Sequence, residues 1–142
     1  MANTMNIDVR GLKLMRASEL ESCFASAPAA EMASGVYRGG ALVLSGTRIG
    51  QAVNALLQLI WQGKNIHLDS SCIYNRVTPF GFSMLRGALS HGLGVDGRPS
   101  TIISYPILGA GDEVRQVGAK TFLGRGTRNG RYIVYFYLGY DS

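Results

Sequence analysis

The sequence predicts a mainly β protein, an antiparallel sheet closed into a small barrel, with its helices confined to the N-terminal half. Three observations carry this. From Gly63 onward the chain reads as short β-rich runs separated by turn signals. Asn129-Gly130 joins two such runs, and Asn-Gly is what a type I′ hairpin turn selects, because both central residues take positive φ. The two runs it joins also lack a polar face, whereas an open antiparallel sheet usually keeps one face solvated. A hairpin apolar on both sides belongs in a closed sheet with a filled or ligand-holding interior.

Residues 1–13 are expected to be flexible. From Leu14 to Ala27, the residues Leu14, Leu20, Cys23, Phe24 and Ala27 form an amphipathic helical pattern, with Ser18 and Glu21 in the S-x-x-E relation of a capping box. Val36–Leu44 reads as a strand. Thr47–Trp61 reads as a second helix that caps or flanks the barrel: Ile49, Val53, Leu56, Leu57 and Ile60 recur at helical spacing between Gly46 and Gly63. The remaining strands are Asn65–Asp69, Cys72–Val77, Ser83–His91, Thr101–Leu108, Glu113–Val117, Thr121–Thr127 and Tyr132–Leu138. A two-residue turn at Asn129-Gly130 pairs Arg128 with Arg131, Thr127 with Tyr132, Arg125 with Val134 and Leu123 with Phe136. The chain reads as one domain, 1–142, with the barrel over 35–138. Seven or eight short strands on this length fit a small lipocalin-like barrel.

Composition narrows the function. With 46% hydrophobic and 16% charged residues the chain is not disordered. Its longest apolar stretch, 52–61, is interrupted by Asn54 and Gln58 and is shorter than the ~18–20 residues of a helical membrane span. No basic-then-apolar leader is visible and Cys23 and Cys72 are the only cysteines, so a cytoplasmic protein without disulfides is expected. The net charge of +5 comes mainly from 11 arginines scattered singly along the chain. A nucleic-acid surface clusters its cations, so neither nucleic acid nor membrane is expected as a partner.

Gly35-Val36-Tyr37-Arg38-Gly39 followed by Trp61-Gln62-Gly63-Lys64 resembles the GXWXG domain, which opens on G-x-W-x-G and continues to W-x-G-K. Ser104-Tyr105-Pro106, Asp112-Glu113-Val114-Arg115, Phe122-Leu123-Gly124 and Tyr135-Phe136-Tyr137-Leu138 are similar to the domain of unknown function that commonly follows it. The resemblance runs over roughly 35–138, with Tyr37 in place of the family's Trp and Pro106 in place of its Asp. It implies a lipocalin-like barrel and little biochemistry. The related nitrobindin-like haem barrels rely on a histidine near the C-terminus, whereas the last histidine here is His91, so no haem or other cofactor is expected.

Chemistry has to be sought in polar residues within β-runs. Cys72, Tyr74 and Arg76 alternate to one strand face, and an arginine in an apolar interior must meet a carboxylate, ordered water or a ligand anion. Arg76, Arg115 and Arg125 are the strand-borne candidates. Asp112 opens a β-run, where it can act as a base or anchor an arginine. Tyr74, Tyr105 and Tyr135 can donate to a carbonyl or developing oxyanion. Trp61, Lys64 and Tyr37 are placed as ligand-contacting residues, Trp61 and Lys64 at the barrel mouth. His91 has an unperturbed pKa near neutrality. His67, Asp69 and Cys72 lack metal-ligand spacing, and no metal is expected. Asp112, Arg115, Tyr105 and His91 form the expected catalytic set, and Tyr74, Arg76, Arg125, Tyr135, Trp61, Lys64 and Tyr37 the binding set. The expected function is cofactor-free isomerase, cyclase or lyase chemistry on a small apolar molecule bearing a carbonyl, enol or carboxylate. The alternatives are a carrier of a small hydrophobic or fatty-acid-like ligand, and a structural protein with a solid barrel whose apolar outer face makes a homodimer.

Overall fold

The computed structural model describes residues 6–43, 47–58, 61–68, 72–77, 82–105, 109–128 and 131–141. Eight strands form a closed antiparallel barrel in which each pairs with the next and the first with the last. They are β1 (Gly35–Ala41), β2 (Trp61–His67), β3 (Cys72–Val77), β4 (Phe82–Leu93), β5 (Pro99–Tyr105), β6 (Ala110–Gln116), β7 (Thr121–Arg128) and β8 (Arg131–Asp141). Helices α1 (Val9–Leu14) and α2 (Ala17–Ser26) precede the barrel, and α3 (Arg48–Gln58) links β1 to β2. The mainly β barrel expected from the sequence is the fold observed. Among the described residues no helix is long and apolar enough to cross a membrane. The Asn129-Gly130 turn and Asp69 lie outside the described residues.

The N-terminal expectations need correction. One helix over 14–27 is in fact two, broken at Met15-Arg16, and the box carboxylate is Glu19, accepting from the Arg16 amide at 3.2 Å, not Glu21. The described part of 1–13 is docked: the Ile7 amide donates to the Val117 carbonyl at 2.7 Å and Leu12 is fully buried. The reason is apolar. Leu12, Leu20, Cys23 and Phe24 cover Leu123, Tyr135 and Tyr137 on the outer face of β7 and β8. Burial of Leu12, Leu20 and Phe24 contributes about 1.5–3 kcal/mol each.

Inside the barrel, Tyr37, Ile66, Ile73, Ile103, Val114 and Leu138 pack together, and Ala30 and Met32 join them from the segment leading into β1. Thr101 Oγ1 donates to the Ala30 carbonyl at 2.6 Å and holds that segment in place.

Two irregularities decide which side chains enter the barrel. In β2, Trp61 pairs with Val77 but Gly63 with Arg76, so an extra residue is accommodated between them. Strict alternation would send Trp61 and Lys64 to opposite faces; the bulge turns both inward. Gly63 sits there at φ 132°, where a Cβ would run into the Tyr37 carbonyl oxygen. In the final hairpin the expected pairs Arg128 with Arg131 and Thr127 with Tyr132 form, but the register then shifts by one, giving Gly126 with Val134, Arg125 with Tyr135 and Leu123 with Tyr137. That bulge puts Arg125, Tyr135 and Tyr137 outside and Val134 and Phe136 inside.

Outside the barrel, beneath α2, lies a four-residue ionic clasp. Fully buried Arg115 donates to Asp96 through both terminal nitrogens, at 2.8 and 2.6 Å, and to the Phe24 carbonyl at 2.7 Å. Arg125 pairs with Glu113 at 3.1 Å, and both guanidinium groups lie over the Phe24 ring, at 4.1 and 4.3 Å from its centre. The Arg115 hydrogen bonds hold the Asp96 carboxyl down at about 2, against the opposing push of burial. A depressed carboxyl pKa contributes stability above its ordinary value of 3.8 and loses it as pH falls through about 2. The Tm difference between the parent and Asp96→Asn is therefore expected to stay constant above pH 3.8 and to close toward pH 2; a constant difference over that range would contradict the clasp.

Candidate functional site

At the end of the barrel where α3 joins β1 to β2, the interior is not filled. A cavity of about 320 Å³ is lined by Trp61, Tyr105, Val134 and Phe136 and by the polar side chains of Lys64, Asn75 and Asp112. Among the described residues, the barrel is thus not solid at this end. Glycine makes the space: Gly126 pairs with Asp112 across the sheet and leaves the carboxylate uncovered. Helix α3 is fastened beside this end by the Asn54 amide, which donates to the Val43 carbonyl at 3.1 Å and accepts from its amide at 2.8 Å.

Lys64 is 2% exposed and spans the lumen. It arises on β2 opposite Asn75 of β3, while Tyr105 and Asp112 come from β5 and β6 on the far wall. Its Nζ donates to Asn75 Oδ1 at 2.6 Å and to the Tyr105 hydroxyl at 2.7 Å, and pairs with Asp112 Oδ2 at 2.8 Å. Three acceptors match the three protons of an ammonium. The rings of Trp61, Tyr105 and Phe136 lie 5.3, 5.3 and 5.5 Å from the same nitrogen, within cation–π range. The Tyr105 hydroxyl accepts from Asn75 Nδ2 at 2.9 Å and donates to Asp112 Oδ2 at 3.1 Å. Trp61 Nε1 donates to Asn75 Oδ1 at 3.0 Å.

Burial alone would lower the Lys64 pKa; the charge of Asp112 and the hydrogen bonds that Lys64 donates to Asp112 and Tyr105 outweigh it and hold the ammonium above the ordinary lysine value. Lys64 is therefore a fixed cation. Burial likewise pushes the Tyr105 hydroxyl up, although the Lys64 charge works in the opposite direction. Among the described residues, Asp112 Oδ1 accepts no hydrogen bond. An ion pair thus neutralises itself inside a mostly apolar cavity and leaves one carboxylate oxygen for something else. The chemistry open to it is acceptance of a hydrogen bond or of a proton.

Of the residues singled out from sequence, Asp112, Tyr105, Lys64 and Trp61 meet here. The structure takes the others elsewhere. Arg115 and Arg125 lie in the clasp beneath α2, because odd positions of β6 and β7 face out while Asp112, Val114 and Gly126 face in. Tyr135 is outside with them, its ring 6.0 Å from Phe24. Tyr74 is on the face opposite Ile73 and Asn75 and packs its ring 5.8 Å from His67. Arg76 belongs to β3, but its side chain lies outside the described residues. Tyr37 is inside but in the filled half: its hydroxyl donates to the Ala33 carbonyl at 2.7 Å, and burial pushes it up to about 12. His91 is exposed at the other end, in a groove with Ala30, Met32 and Leu89. Asn75 was missed. Its signal was a lone amide between Ile73 and Val77 on the apolar side of a strand, the side that faces the lumen.

The site and fold together define a small closed β-barrel with one polar cluster at the wall of an open cavity. A solved structure of a protein from Thermomonospora curvata is similar, with a TM-score of 0.66 and 19% identity over 90% of this chain and 89% of that one. That likeness is one of fold. No family model matches the chain, and no curated protein matches it.

Proposed function

We propose that the barrel is a cofactor-free proton-transfer enzyme, an isomerase, cyclase or lyase acting on a small, largely apolar molecule with a carbonyl or enol group. The observation that carries this reading is the open Asp112 Oδ1 at an apolar cavity, backed by a buried ammonium and a tyrosine on its other oxygen. Asp112 takes a proton from carbon or oxygen of the substrate. Lys64 and Tyr105, joined to Asp112 Oδ2, spread the change in charge through a network fixed before substrate arrives, which is where preorganised electrostatics act. Return of the proton elsewhere gives isomerisation, loss of a leaving group gives elimination, and internal attack gives cyclisation. The Trp61–Lys64 element behind the resemblance to the GXWXG family is the one that supplies the ammonium.

Nitrobenzisoxazole tests the base without knowledge of the natural substrate. Removal of its ring C–H proton drives the C–H electrons into a nitrile and breaks the N–O bond, releasing a coloured cyanonitrophenolate. The parent is expected to turn it over above the buffer rate, and Asp112→Asn to lose at least about tenfold, within the usual contribution of a general base. No rate above background in the parent would refute the proposal and favour the carrier reading. That reading draws on the saturation of Lys64 and Tyr105 by protein partners.

A further inference from the structure

We infer that the molecule held in this cavity is uncharged, built on one or two rings, and donates a hydroxyl or enol hydrogen bond to Asp112 Oδ1. The inference deepens the proposed function and rests on its choice of this cavity as the ligand site.

Charge comes first. Among the described residues the lining holds one ammonium and one carboxylate, 2.8 Å apart, so these two charges cancel. All three Lys64 protons are used within the protein, and Tyr105 gives its only proton to Asp112. Among the described residues, neither Lys64 nor Tyr105 has a proton left to meet an incoming carboxylate. Such a carboxylate would also bring a second negative charge beside Asp112 into a mostly apolar space, where an unpaired charge is costly. A neutral donor, by contrast, meets Asp112 Oδ1.

Size and shape follow from the walls. An engineered apolar cavity of about 150 Å³ holds benzene, so 320 Å³ corresponds to roughly two such rings. Trp61 and Phe136, edge to face with ring centres 5.5 Å apart, offer aromatic surface, and Gly126 leaves room directly before Asp112: a Cβ there would lie 3.7 Å from Oδ1. A flat ring can therefore reach the carboxylate edge-on through its hydroxyl.

Three probes of one shape decide the matter: naphthol, naphthalene and naphthoate, titrated against the whole chain by calorimetry or by chemical shifts of the Trp61 indole. Naphthol is expected to bind at least about tenfold more tightly than either of the others, as one hydrogen bond to a charged acceptor allows. Asp112→Asn removes the counter-charge of Lys64, and in that variant naphthoate should overtake naphthol. Naphthoate binding the parent as tightly as naphthol, naphthol no better than naphthalene, or no probe binding at all would each overturn the inference. The two proposals fail separately. Turnover of nitrobenzisoxazole with naphthoate preferred sinks the ligand class alone, and naphthol preference without turnover sinks the catalysis alone.

Discussion

Gly63→Ala is expected to abolish the folded barrel or to cost at least about 4 kcal/mol, a size reserved for a few identifiable mechanisms. Two of these coincide at this position. The backbone is at φ 132°, outside the range L side chains adopt, and the added carbon would overlap the Tyr37 carbonyl oxygen, with the Tyr37 carbonyl carbon and the Gly39 amide nitrogen each 2.9 Å away. These are backbone atoms of β1 and cannot rotate aside. Gly97→Ala supplies the comparison: φ is 76° there and no atom lies within 4 Å of the added carbon, so only left-handed strain of about 1–2 kcal/mol applies. Urea unfolding of the two variants beside the parent separates backbone strain from collision. Equal losses would show that the β2 bulge tolerates a side chain.

Lys64→Met is expected to cost about 3–5 kcal/mol, because it strands Asp112 in the cavity without its cation. The side chains of the pair are 3% and 12% exposed, so water compensates little. Adding Asp112→Leu should recover most of the loss, since a buried ion pair replaced by apolar residues of similar volume is often neutral or stabilising. A double-mutant cycle from denaturant unfolding reads the coupling directly. The raised Lys64 pKa fixes the sign with pH: the contribution is full below the ordinary value of 10.5 and is lost only as pH rises through the raised one. Were Lys64→Met within about 1 kcal/mol of the parent, the pair would not be the buried unit described.

The mainly β class, the seven or eight strands and their order were legible because apolar periodicity and turn residues are local signals; where the N-terminal helices dock was not. Nor was register. At the final hairpin Arg128 with Arg131 and Thr127 with Tyr132 follow from the turn, but one extra residue of β8 beyond Tyr132 shifts the partners of every later pair. Nothing in the composition of Ile133 and Val134 announces it. The same limit hid the site. A helix over 47–61 would leave Lys64 at the barrel entrance, yet β2 begins at Trp61 and its bulge carries Lys64 into the lumen. The arginines misled for a related reason: a strand position says that a side chain faces in or out, and only the helix packed outside made out a buried place too.

The pairing of β1 with β8 also has a consequence for how the protein is made. Val36 to Ala41 find their second partner only in residues 136 to 141, and α1 and α2 rest on those same late strands. On a ribosome the early segments must wait, with Leu12, Leu20 and Phe24 uncovered, until residues 123 to 141 have emerged. Contacts of such long sequence separation form slowly. The nascent chain thus carries this apolar surface without its partners until Leu123, Tyr135 and Tyr137 have been made, the interval in which a chaperone has most to offer it.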